Sequence, residues 1–201
     1  MRLRQTRLWP LLRFLRRGIF TIELKDVFEV EIKGLLEQTP RPTELVFRVA
    51  DFSDIQSLGP AFAHEYDTDA LAFVETRLRV GDKAVVGYLD EHPVFSGWSM
   101  FGYMELSRDE YLPIPDHVVC VYKLFTIASM RRQGVLAAFY RYWAGVLDGL
   151  GYTRIRAAVF RVNSTSMVAH QKLGFKRVGS IRTVGILGRY RSQYTIDSPS
   201  R

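Results

Sequence analysis

The 201-residue sequence contains a single cysteine, Cys120. A disulfide framework within the chain is therefore excluded, as is a zinc site built on cysteines, and a reducing compartment fits. Long hydrophobic runs are absent as well. The apolar stretch near the N-terminus is broken by Arg13 and falls short of the roughly 20 apolar residues that a membrane-spanning helix needs. No small-residue cleavage site follows it, so a secretory signal is not expected. Acids are missing from the first seventeen residues, and neither an internal repeat nor a low-complexity segment is present.

What charge there is sits unevenly. The net charge is +7, yet six of the 28 basic residues (Arg2, Arg4, Arg7, Arg13, Arg16 and Arg17) fall within those acid-free seventeen. The remainder is close to neutral, which argues against nucleic acid as a partner. Leu3, Leu8, Trp9, Leu11, Leu12, Phe14, Leu15, Ile19 and Phe20 interleave with the arginines. Residues 1–20 thus read as a segment for peripheral contact with an anionic membrane, as a helix docked on its own domain, or as a targeting presequence. Pro10 limits helix continuity in each case.

The 47% hydrophobic content supports one well-packed domain with an appendage. Phe20 to Ile32 alternates apolar and polar residues, as a strand or hairpin would, and two prolines make 38–43 a linker. The division expected is an extension over 1–43 and a domain over 44–201. Within the domain, Leu45 to Val49 reads as a strand. Helices follow from Asp51 or Ser53 to about Phe62 and from Thr68 to Val80. Strands are expected at Ala84 to Leu89, at Val94 to Leu106 with a bulge, and at Val118 to Ile127. An amphipathic helix from Val135 to about Leu150 carries Leu136, Phe139, Trp143, Val146, Leu147 and Leu150 on one stripe. A strand (Thr153 to Val162), a helix (Asn163 to Leu173) and two more strands complete the chain. That order predicts an α/β fold with a mixed central sheet in three layers. Cys120, in an apolar run, reads as a buried filler.

Two segments carry chemistry. In Arg131-Arg132-Gln133-Gly134-Val135-Leu136 a glycine turn joins a strand to a helix start, gathering unpaired N–H groups at one point suited to a phosphate. The second segment runs from Asn163 to Phe175, with Asn163 as a helix N-cap and Gly174 just past the helix end.

Together these segments resemble the GNAT acyltransferase superfamily. Its pyrophosphate loop, Arg/Gln-x-x-Gly-x-Gly/Ala after a strand, is matched by Arg131 and Gly134, with Leu136 where Gly or Ala is usual. Its Asn-x-x-Ala/Ser-x-x-x-Tyr-x-Lys-x-Gly-Phe segment is matched by Asn163, Ser166, Lys172, Gly174 and Phe175, with His170 at the tyrosine position. The resemblance implies a three-layer α/β/α fold whose central sheet is splayed. It also implies transfer of an acetyl or other acyl group from acetyl-CoA or another acyl-CoA to a primary amine of a small molecule or amino sugar. The transfer would proceed in one ternary complex, with no metal.

On this carry-over Leu124, Phe125 and Thr126 bind the pantetheine arm. Arg131, Arg132, Gln133, Gly134, Val135, Leu136 and Ala137 hold the pyrophosphate, and Asn163 and Ser166 also touch the cofactor. His170 is the candidate general acid, with Tyr122 and Cys120 as weaker alternatives. Glu105, Asp116 and His117 are candidate bases. The acceptor side falls to residues 61–80 and 180–194. The replacements at Leu136 and His170 keep a second reading open, a non-catalytic acyl-CoA-binding module. A cytoplasmic protein is expected, at the inner face of the membrane if the extension binds it, and a homodimer stays open.

Overall fold

The computed structural model describes residues 20–38, 44–51, 54, 70–107 and 110–197. Ten strands and four helices lie among them: β1 (Phe20–Glu31), α1 (Ile32–Leu36), β2 (Val46–Ala50), α2 (Ala70–Arg79), β3 (Lys83–Leu89), β4 (His92–Phe101), β5 (Tyr103–Ser107) and β6 (Glu110–Pro113), followed by β7 (Val118–Thr126), α3 (Val135–Gly149), β8 (Arg154–Phe160), α4 (Ser164–Lys172), β9 (Lys176–Ile186) and β10 (Arg189–Ile196). Eight strands form one mixed sheet in the order β10-β9-β1-β8-β7-β4-β3-β2. Among the described residues only β7 and β8 pair in parallel. Of the helix expected to begin at Asp51 or Ser53, only Asp51 and Asp54 are among the described residues, and the Asp54 N–H donates to Asp51 Oδ1 at 2.9 Å.

Each face of the sheet has its own cover. On one face Phe28, Val121, Ile155 and Val159 pack against Phe139, Tyr140, Trp143 and Leu147 of α3, with α1 alongside and Phe175 beyond α4. The other face is covered by two elements. Val74 of α2 packs on Ala84, Val86 and Trp98, while the β5–β6 hairpin brings Met104 and Leu106 onto Cys120, Val27 and Ile181. The chain is thus a three-layer α/β/α structure in which a hairpin shares the third layer with a helix. The stripe expected on α3 is real at Phe139, Trp143 and Leu147, whereas Leu150 is exposed.

Two sequence expectations change. The strand expected over Val94–Leu106 is broken at Gly102, where φ of +78° turns the chain off the sheet, so β5 pairs with β6 instead of continuing β4. More consequential is the N-terminal strand. Residues assigned to an extension before a linker form one strand of 12 residues, not a hairpin, and it lies inside the sheet. β1 pairs with β8 on one edge and with β9 on the other, and Val27 and Phe28 are buried on opposite faces. A boundary at residue 43 would cut through the core. Among the described residues no helix is long and apolar enough to cross a membrane.

Candidate active site

β7 and β8 run side by side for four residue pairs, from Val118 opposite Arg154 to Val121 opposite Ala157. Beyond these both strands continue, each held by its outer neighbour. Thr126 of β7 faces Phe95 of β4, and Phe160 of β8 faces Lys25 of β1. The inner edges have no ladder between them, so a wedge opens toward the C-terminal ends of both strands. A bulge in β7 starts the divergence: Lys123 has φ of +46°, and the register against β4 slips between Ser96 and Trp98. Ile127 N–H donates to Val94 O at 3.1 Å, so alternation turns the polar groups of Thr126 and Leu124 toward the wedge. The Thr126 carbonyl accepts from Arg131 Nε at 3.0 Å, and the Arg131 guanidinium lies 5.8 Å from the Phe125 ring.

From this edge the chain passes through a 3-10 turn, Ala128–Met130, into α3. Arg132 and Gly134 both take left-handed backbone, with φ of +66° and +83°. The first helical bond runs from Ala138 N–H to Gly134 O at 3.0 Å, leaving the N–H groups of Val135, Leu136 and Ala137 without helical acceptors. No side chain caps this end. Among the described residues the N–H groups of Arg132, Gln133 and Gly134 also make no backbone bond. A Cβ placed on Gly134 would meet nothing within 4 Å, so the space before the donors is open. Six consecutive donors at a helix start form a nest for an anion. Gln133 spends its side-chain amide on Ser129 O at 2.7 Å, which fixes the turn.

In α4, Asn163 Oδ1 accepts from Ser166 N–H at 3.1 Å, as an N-cap does. The cap occupies that oxygen. Gly174, with φ of +87°, ends the helix, and Phe175 folds back to donate its N–H to His170 O at 3.1 Å.

His170 departs from its expected role as an acid. It is 2% exposed and enclosed by Phe28, Tyr140 and Phe175. Its Nδ1 lies 2.7 Å from the Ser166 carbonyl, which can only accept, so the ring proton sits there. Nε2 is then the acceptor for Tyr140 Oη at 2.8 Å. Burial pushes the imidazole pKa down, against a smaller opposing effect of the Ser166 carbonyl. The side chain is a neutral part of the core with both nitrogens bonded. Cys120 is likewise a filler: it is 1% exposed, and burial pushes its thiol up to about 12.

Tyr122 is the first β7 residue past the last pair with β8, on the face opposite α3. Its hydroxyl donates to Asp82 Oδ2 at 2.6 Å, and Tyr103 Oη donates to Oδ1 of the same carboxylate at 2.8 Å. Arg77 stands 3.8 Å from Asp82 and donates to Glu105 Oε2 at 2.6 Å. Its guanidinium lies 5.4 Å from the rings of both Phe73 and Tyr122. Burial, reinforced by Asp82, raises both phenols, Tyr103 to about 12. Burial alone would lower the Arg77 pKa; its interactions with Tyr122, Glu105 and Asp82 outweigh burial and raise it. Tyr122 is therefore a poor acid, with its proton already directed at a carboxylate. Two phenol oxygens keep lone pairs for an N–H donor, and Glu105 keeps part of its surface. Asp116 and His117 are exposed at the opposite end of β7, roughly 16–20 Å from Tyr122 at the usual strand rise. Of the three candidate bases only Glu105 joins this cluster.

Sequence reading missed Arg77, Asp82 and Tyr103. Gly81-Asp82 looks like an ordinary turn, and the partners of Asp82 lie 21 and 40 positions away. The acceptor stretch expected at 61–80 is described only from residue 70.

No protein-family model matches the sequence, and no curated protein matches it either. Solved structures do match. A conserved protein of unknown function from Staphylococcus epidermidis aligns at TM-score 0.59 with 14% identity, over 88% of this chain and 66% of that one. A GCN5-related N-acetyltransferase from Kribbella flavida aligns at TM-score 0.54 with 20% identity, over 90% of this chain and 65% of that one. The fold is that of the GCN5-related N-acetyltransferases. An aminoglycoside 6′-N-acetyltransferase from Acinetobacter baumannii shares it at TM-score 0.52 with 13% identity, over 66% of this chain and 91% of that one. This chain therefore spans just under two thirds of the first two structures' lengths. In this chain the parted strands are β7 and β8, and the turn before α3 lies at the end of the first of them.

Proposed function

We propose that the protein transfers an acyl group from a coenzyme A thioester to a primary amine. The observation that carries this reading is the adjacency of the wedge beyond Val121 and Ala157 to the open nest at Arg132–Ala137. The nest suits a diphosphate. The free inner edge of β7 suits an extended amide-bearing arm, which would add to it as a strand does. The wedge then receives the thioester, and a backbone N–H of Leu124 or Thr126 is placed to hold the carbonyl oxygen as it gains charge. One such donor contributes about 2.7–4 kcal/mol in well-studied enzymes.

The amine nitrogen attacks the carbonyl carbon, the C–S bond breaks, and coenzyme A leaves as the thiolate while the amine sheds a proton. Tyr122 and Tyr103 accept N–H bonds from the amine, and Glu105 is the nearby carboxylate for its proton. A small-molecule amine or amino sugar is the acceptor, with the rings of Phe73 and Tyr122 flanking Arg77 at the edge of this cluster. His170 takes no part, because both its nitrogens are occupied. That same occupancy favours one rival, a module that binds acyl-CoA without turning it over.

The test is release of free thiol from acetyl-CoA across a panel of amines, beside thermal melts with acetyl-CoA alone. Stabilisation together with thiol release supports the enzyme. Stabilisation without release on any amine supports the binding module. No stabilisation overturns both.

A further inference from the structure

α1, α3 and α4 leave part of their side of the sheet uncovered among the described residues. Phe28 is buried there, and alternation along β1 sets Leu24, Ile22 and Phe20 on the same face. Ile186 lies opposite Phe20, Val184 opposite Ile22, and Arg182 opposite Leu24. On the far side of β9, Arg189 lies opposite Ile186 and Arg191 opposite Val184. The result is an apolar ladder with a column of arginines along one edge. Phe20, Ile22 and Ile186 are 51%, 50% and 53% exposed. Among the described residues Arg182 and Arg189 have no carboxylate partner, and Arg191 reaches only Glu110, at 4.0 Å. On this face the acid of this stretch of β1 is Asp26, which is buried and bonded to Arg161 and Arg177; Glu23 lies on the other face, with Lys25.

Charge selects the occupant. A second copy brings no carboxylate to these arginines, and seated about a two-fold axis that crosses the strands it would set the arginine column against itself. The segment preceding Phe20 carries six arginines and no acid in its first seventeen residues, so folding it back would add to that repulsion. An exposed apolar surface edged by arginines, followed back in sequence by an arginine-rich and apolar segment, is complementary to an anionic interface with an apolar interior. We propose that this face of β1, β9 and β10 docks on an anionic lipid surface. β1 runs antiparallel to β8, so Phe20 projects past the C-terminal end of β8, at the same end of the sheet as the wedge.

The test is co-sedimentation of the full-length chain with vesicles, read independently of any acyl transfer. Vesicles of equal parts phosphatidylglycerol and phosphatidylcholine should bind it, and pure phosphatidylcholine should not. Arg182→Gln with Arg189→Gln should weaken binding roughly 25-fold, since each basic residue near such a surface is worth about fivefold. Ile22→Ser with Ile186→Ser should weaken it by roughly the same factor. All four side chains are exposed; if the isoleucine pair lowers the melting temperature, the arginine pair decides. Full binding by both pairs would mean that residues 1–19 act alone, which overturns the docking face. A dimer in sedimentation equilibrium, dispersed by the isoleucine pair and without vesicle binding, would overturn it in favour of a second copy.

Discussion

At the scale of single residues, His170 shows how a motif position can keep its place and change its work. In sequence it stands where a proton donor is usual. In the structure its Nδ1 is tied to Ser166 and its Nε2 to Tyr140, inside an aromatic cage. Its folded pKa lies below the ordinary 6.5, so between the two values the unfolded chain binds more protons. This contribution to stability is therefore complete above about pH 6.5 and is lost as the pH falls toward the folded pKa. Urea titrations between pH 7.5 and 5 should show stability falling on the acid side, and His170→Gln should flatten that fall while lowering stability throughout. A second residue-scale prediction concerns Ser96. Its hydroxyl is buried, and among the described residues nothing bonds to it. Ser96→Ala should leave stability unchanged or raise it by about 1 kcal/mol, measured by denaturant melts. Neither burial was legible in sequence. His170 sits between Ala169 and Gln171 on a short helix of mixed polarity, where nothing local distinguishes a caged ring from a solvated one.

Elements are where sequence reading succeeded best, because the turn before α3 and the caps of α4 are local. Gly134 is required by its backbone, with φ of +83°, and Asn163, Gly174 and Phe175 act as their spacing suggests. Gly134→Asp should keep the fold, since a Cβ there meets nothing within 4 Å, at a cost of about 1–2 kcal/mol for the left-handed backbone. It should abolish the stabilisation by acetyl-CoA, because a carboxylate would then sit in the anion nest; calorimetry that still finds full affinity would remove the nest from the mechanism. The Asp82 cluster is also an element-scale object, binding the α2–β3 turn to β5 and β7. Asp82→Ala leaves the half-buried hydroxyls of Tyr103 and Tyr122 without their acceptor, while Arg77 keeps Glu105, and should cost about 1–3 kcal/mol, read as a lowered denaturation midpoint. Asp82→Asn, which keeps two hydrogen-bonding positions, should cost less. The sequence hid this cluster because its members are dispersed over β3's approach, β5 and β7 and meet only when the sheet forms.

For the whole molecule, the sheet order is the feature that local patterns could not reveal. Alternation marks Phe20 to Ile32 as strand, but says nothing about which strands it will meet. Two prolines before Glu44 look like a boundary, yet β1 fills a slot between β8 and β9 and buries Val27 and Phe28 on opposite faces. A chain beginning at residue 44 would leave those strands unpaired and the core open on both faces. Such a chain should show no cooperative thermal unfolding, whereas one beginning at residue 18 should melt close to the full-length protein. A cooperative transition in the shorter chain would mean that β8 and β9 close up without β1.

The threading of β1 bears on how the protein is made. The strand leaves the ribosome well before the edges it must join, which end at Phe160 and Ile186. During synthesis its backbone donors and acceptors wait while the elements between β1 and β8 are made. A nascent molecule stalled before β9 holds an apolar ribbon with no home, a natural target for a holding chaperone.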